Sequence, residues 1–177
     1  MIDELEELIE LSRRIVEVLK KLNRKNVMFT AFIGECLVLR ELLKRGFCAT
    51  WKGKYGFGKY DIAIGNKRIE VKTATYSNRH RLWGFGGISP EKFDYLICVA
   101  LDDDLRNPRY VIFTKDEAKS LPTERQAHKG RTTRFDKGGK LTFHLFNKED
   151  EGIQPSEKLR KINRNIRKYM NWSKIRS

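Results

Sequence analysis

Cysteine and histidine are scarce in this chain of 177 residues. The three cysteines, Cys36, Cys48 and Cys98, are odd in number, lie among apolar neighbours and show no paired metal-ligand spacing. Neither a disulfide framework nor a zinc cage fits them, and they read as buried, reduced thiols of a cytoplasmic protein. His80, His128 and His144 are scattered and suggest neither a zinc site nor a catalytic triad. No apolar run approaches the length of a membrane span, so no membrane partner is expected. The first ten residues carry Asp3, Glu4, Glu6, Glu7 and Glu10 and no base, unlike a signal peptide. The loop Gly53–Lys59 is rich in glycine but lacks the Gly-Lys-Ser/Thr ending of a P-loop. Internal repeats and low-complexity linkers are absent too, so residues 1–177 read as one domain.

What the chain does have is positive charge. Lys and Arg number 37 against 23 Asp and Glu, a formal net charge of +14. That excess implies a polyanionic partner, most simply nucleic acid. Its distribution implies an acidic end and a basic working face.

The stretch from Tyr60 to Lys72 organises the rest. Two apolar-rich runs, 60–64 and 68–74, flank Gly65-Asn66, a pair suited to a tight primed turn. With a two-residue loop, Ile64 faces Lys67 and Asp61 faces Glu70 directly across the ladder. Side chains alternate along a strand, so Asp61, Glu70 and Lys72 share one face, and Ile62, Ile64, Ile69 and Val71 take the other. Two opposed carboxylates repel unless a cation sits between them. A hard divalent ion is the natural candidate, with Lys72 adding a second positive charge. The competing reading is an exposed hairpin face on which Lys72 bridges two acids in a weak surface salt bridge.

Before the hairpin, residues 3–22 read as an amphipathic helix with Leu5, Leu8, Ile9, Ile15, Val16, Leu19 and Leu22 at helical spacing. It packs on the core or, in a second reading, supplies a dimer contact. Residues 28–45 form a second helix, stopped by Gly46. On it, Glu35 has Ala31, Phe32, Val38 and Leu39 three and four positions away, so it projects from the apolar side or its border. A carboxylate there needs a partner. It is a border glutamate paired with a lysine, or a third carboxylate aimed at the hairpin acids. Residues 47–52 read as a first strand, followed by a basic-aromatic loop.

After the hairpin, residues 73–88 read as a polar, basic stretch with hinge-like glycines. Residues 93–101 form an apolar strand buried on both faces. Asp102–Asp104 is a solvated turn, or a weak ion site. Residues 109–114 form another strand and 115–121 a short helix. Residues 122–140 are a basic loop, 141–146 a final strand, and 156–170 a C-terminal helix with its basic face outward. The basic loops 52–59, 76–87 and 122–140 suit contact with a phosphate backbone. Their candidate contacts are Lys52, Lys54, Lys59, Arg79, Arg81, Lys129, Arg131 and Arg134.

The order of parts resembles the PD-(D/E)xK nuclease superfamily, including small homing or restriction-type members and archaeal resolvases. The motif residues are Glu35 in Gly34-Glu35, Asp61 in Tyr60-Asp61, and Glu70-Val71-Lys72. Tyr60 stands where the motif nominally has proline. The resemblance covers roughly residues 28–115, with a basic DNA-contacting part at about 122–177. It implies an α/β, restriction endonuclease-like fold: a mixed β-sheet core flanked by helices, here with N- and C-terminal helices added.

It also implies a Mg²⁺-dependent DNA endonuclease, with Mn²⁺ able to substitute, that leaves 5′-phosphates. Asp61, Glu70, the Val71 carbonyl and Glu35 would hold the metal. Lys72 would orient or help deprotonate the attacking water, or stabilise the phosphorane. The first expectation is site-specific cleavage of double-stranded DNA by a homodimer. The alternatives are a structure-selective nuclease such as a Holliday-junction resolvase, and a non-catalytic nucleic-acid-binding protein.

Overall fold

In a computed structural model the described residues are 1–22, 27–52, 60–123, 140–146 and 156–175. Helix α1 (Ile2–Lys21) and helix α2 (Val27–Lys44) come first. Then come β1 (Ala49–Trp51), β2 (Ile62–Ile64), β3 (Lys67–Thr75) and β4 (Trp83–Ile88). A short 3₁₀ turn leads to β5 (Tyr95–Leu101), β6 (Arg109–Thr114) and α3 (Lys115–Lys119). The chain closes with β7 (Leu141–Leu145), α4 (Glu157–Arg164) and α5 (Ile166–Tyr169).

The fold is α/β. Five strands form one mixed sheet in the order β1-β2-β3-β5-β6, and β4 and β7 form a second ladder. Only β3 and β5 run parallel; the other pairs of the five are antiparallel. The turn between β2 and β3 has Gly65 at φ +54°. With Gly65 at positive φ and Asn66 not, the turn is of type II′, and glycine adopts that φ without strain. The register that follows pairs Ile64 with Lys67 and Ile62 with Ile69, as the two-residue loop requires.

The apolar face expected of the hairpin is the buried one. Ile62, Ile64, Ile69 and Val71 join Ile33, Leu37, Ile97 and Val99 in a core beneath α1 and α2. The opposite face of the sheet carries a second core, with Leu96, Cys98 and Ala100 from β5 packed against Phe85, Phe113, Phe143 and Leu159. Strand β5 is therefore buried on both faces, as its unbroken apolar run requires.

Four expectations are corrected. Residues 83–88 form a strand: Trp83, Phe85 and Ile88 are buried against β7, and the intervening glycines supplied no alternating signal. The C-terminal helix is two helices. Buried Asn163 donates to the carbonyls of His144 and Leu159 and accepts the Phe146 N–H, and the axis breaks at Asn165 (φ −105°, ψ 23°). Cys48 is exposed, while Cys36 and Cys98 are buried as expected. On α1, Leu5, Ile9 and Val16 face the core, but Leu8 and Leu22 do not.

Candidate active site

Asp61 sits immediately before β2 begins, and three hydrogen bonds fix it. Its N–H donates to the Ile69 carbonyl at 3.0 Å, and its carbonyl accepts the Lys52 N–H at 2.7 Å. Its Oδ2 accepts the Val71 N–H at 2.7 Å. A regular ladder would continue to place Asp61 opposite Glu70. Instead the chain bends at Asp61, just before Ile62, where the Asp61 N–H goes to Ile69 and the Asp61 carboxylate accepts the Val71 N–H in place of a ladder carbonyl. The ladder thus ends at the Ile62–Ile69 pair, one step short of the direct Asp61–Glu70 pairing expected from the turn, and the Glu70 charge still acts on Asp61.

Glu70 and Lys72 leave β3 on the same side, as alternation requires, and their side chains meet at 2.7 Å. They are 17% and 29% exposed, so this ion pair lies below the surface. Residues 69 and 71 turn their backbone polar groups toward the β2 side, since Ile69 accepts from Asp61 there and Val71 donates to it. The N–H and C=O of one strand residue point the same way. The Val71 carbonyl therefore faces the edge that β2, three residues long, leaves uncovered among the described strands.

Glu35 reaches this edge from α2. Its neighbour Gly34 lies so close to β3 that a Cβ there would fall 1.8 Å from Thr73 Oγ1. Only glycine permits this approach of helix to strand, and it brings the next residue beside the hairpin acids. Glu35 Oε2 accepts a hydrogen bond from Trp51 Nε1 at 2.7 Å. Sequence reasoning passed over Trp51. Its signal was present: an aromatic donor ending β1, immediately before the basic loop. Its ring packs edge-on against Phe32 with centroids 5.5 Å apart, yet it is 42% exposed.

The electrostatics follow from this crowding. Burial is the largest influence on Asp61, and the negative charges of Glu70 and Glu35 add to it. The Val71 N–H and Lys72 oppose them, and the carboxyl is pushed up to about 7. Burial likewise raises Glu35, with Glu70 adding, against the Trp51 hydrogen bond and Lys72. Three carboxylates thus feel one another and share one lysine. Cys36 beside them is inert: burial and then the Glu35 charge push its thiol up to about 12.

Among the described residues no three acids, histidines or cysteines are drawn into a ready-made metal cage. Each acid is turned to a protein partner instead: Asp61 to Val71, Glu70 to Lys72, Glu35 to Trp51. The donor set still fits a hard divalent cation. It offers carboxylate oxygens and one backbone carbonyl at an edge with more negative charge than its own lysine balances.

Of the expected nucleic-acid contacts, Lys52 is exposed opposite Asp61, and Arg79 and Arg81 are exposed on the turn closed by the Ser77–Leu82 bridge. Lys54, Lys59, Lys129, Arg131 and Arg134 lie outside the described residues. Lys158, Arg160, Lys161, Arg164, Arg167 and Lys168 are all exposed, so the basic face of the C-terminal helices does point outward.

No protein-family model matches this chain, and no curated protein matches it. Among solved structures it is similar to the bacterial homing endonuclease I-Ssp6803I, with 14% identity over 77% of this chain and 92% of that one, and a TM-score of 0.48. It is also similar to MepB, with 15% identity over 75% and 92%, and a TM-score of 0.44. What speaks to chemistry is the donor set itself.

Proposed function

We propose that this chain is a divalent-metal-dependent endonuclease that hydrolyses phosphodiester bonds in double-stranded DNA. One observation carries the reading. Three acids, Asp61, Glu70 and Glu35, are crowded at an open strand edge around the single Lys72, and the crowding with burial raises the Asp61 carboxyl to about 7. A fold has no structural need for such a surplus of half-buried negative charge. A site that binds Mg²⁺ or Mn²⁺ does.

Asp61, Glu70, Glu35 and the Val71 carbonyl would hold the cation, which supplies charge neutralisation of the phosphate and acidification of a water. Asp61 is pinned by its backbone bonds, so it presents its carboxylate without reorganising. Glu70, one of whose oxygens is paired with Lys72, would hold the cation, and Lys72 would orient the attacking water or meet the phosphate oxygens. Trp51 holds Glu35 toward the edge. The exposed bases Lys52, Arg79 and Arg81, with Lys54, Lys59, Lys129, Arg131 and Arg134, would grip the backbone of the duplex.

The test is incubation of the purified chain with supercoiled plasmid, phage DNA and a labelled four-way junction. Each is run with Mg²⁺, Mn²⁺ or EDTA, beside Asp61→Ala. Discrete linear products that need both metal and Asp61 are expected. Cutting of the junction alone would move the chain to the structure-selective nucleases. Salt-sensitive binding without cleavage of any substrate would overturn the catalytic reading and leave a binding protein.

A further inference from the structure

Helix α1 carries a second apolar row that stands exposed among the described residues. Leu5, Ile9 and Val16 face the core. Leu8, Leu11, Val18 and Leu22 stand outside it, 43%, 56%, 54% and 64% exposed, with half-buried Ile15 between them. Their spacing alternates three and four residues: 8, 11, 15, 18, 22. That is the a/d seam of a coiled coil, sustained over two heptads, and it is narrower than the stripe a helix needs to sit on a globular core.

The charges beside the row say what covers it. From residue 2 to 11 the helix carries Asp3, Glu4, Glu6, Glu7 and Glu10 and no base. From residue 12 to 21 it carries Arg13, Arg14, Lys20 and Lys21 with one acid, Glu17. A second copy laid antiparallel sets the acidic half of each helix against the basic half of the other. A parallel copy would set acids on acids and bases on bases. DNA would meet the acidic half with repulsion.

We infer that α1 pairs antiparallel with α1 of a second copy of this chain through Leu8, Leu11, Ile15 and Val18. The pairing is isologous: Leu8 meets the partner's Val18, Leu11 meets the partner's Ile15, and the two-fold axis passes near residue 13. Glu7 flanks the seam opposite the partner's Lys21. Arg14 falls near the axis against its own copy and is the like-charge contact of the arrangement. The inference is independent of the chemistry at β3, because α1 contributes no residue to that edge.

The test uses the full chain. Sedimentation equilibrium of the wild type is expected to give twice the chain mass, and Leu11→Glu/Val18→Glu the single mass with an unchanged circular dichroism spectrum. Glu7→Lys should weaken the dimer about fivefold, and Glu7→Lys/Lys21→Glu should restore it. In a Cys48→Ser background, Leu8→Cys and Val18→Cys chains are oxidised separately and mixed. A cross-linked dimer in the mixture and none in either alone is the antiparallel result. A monomeric wild type, a dimer that survives Leu11→Glu/Val18→Glu, or cross-linking of Leu8→Cys with itself would overturn the inference.

Discussion

Among the described residues, two groups of three acids are kept in different surroundings. The turn after β5 holds Asp102, Asp103 and Asp104. Each has its own donor: Asn107 Nδ2 at 3.1 Å, Asn78 Nδ2 at 2.9 Å and the Arg106 N–H at 3.1 Å. Asp103 and Asp104 are exposed, so water screens what remains. At the β3 edge, Asp61, Glu70 and Glu35 are half-buried and share one lysine, and the shortfall shows as a carboxyl raised to about 7. Acid count alone does not mark a site. What sets the edge apart is that its acids, although each has a partner, are withdrawn from solvent and crowd one another.

The contrast can be broken by substitution. Asp61→Asn and Lys72→Met are each expected to lower single-turnover cleavage of plasmid about 10³-fold while the affinity for DNA holds, and Asp103→Asn to stay within about twofold. Equal losses in both groups would erase the distinction.

A smaller effect is read in stability. The folded Asp61 carboxyl stands near 7 against an ordinary 3.8, so its contribution is fully present below the lower value and lost as pH rises through the higher one. Without divalent cation the unfolding free energy should therefore fall between about pH 4 and pH 7, by an amount on the order of a few kcal/mol, and level off above. Asp61→Asn, which keeps an acceptor for the Val71 N–H, should flatten that fall, Mg²⁺ should reverse it, and Asp104→Asn should leave it unchanged.

Two further substitutions disturb the edge without touching an acid. Gly34→Ala forces α2 away from Thr73 and should cost about 1–3 kcal/mol in urea unfolding. Trp51→Phe removes the donor to Glu35 and keeps a ring against Phe32. It should slow cleavage about fivefold, the worth of one hydrogen bond.

Much of this edge was legible from residues alone. Gly65-Asn66 fixed the turn and the turn fixed the register, so the separation of Ile69 and Val71 from Glu70 and Lys72 followed from alternation. The bend at Asp61 did not. It arises from competition between a side-chain acceptor and the ladder, which no spacing records. The raised position of Glu35 was visible in its apolar neighbours, but the closeness of Gly34 to Thr73 depends on a packing distance.

Strand β4 escaped because Gly84, Gly86 and Gly87 interrupt its alternation and its partner β7 lies more than fifty residues later. The end of α4 was hidden for a similar reason: Asn163 is tied to the far end of β7. The outer row of α1 was counted with the inner one, since helical spacing alone does not tell a core stripe from a seam.

The brevity of β2 has a consequence for the molecule before any substrate arrives. A strand with no neighbour on one side is a template on which another chain can add, and such edges seed aggregation. On β3 the donor an incoming strand would need first, the Val71 N–H, is already taken by the Asp61 side chain. Glu70 and Lys72 stand beside it with their charges. The groups proposed to hold a cation at this edge thus also hinder another chain from adding to it, and a neutral edge of the same shape would invite one in.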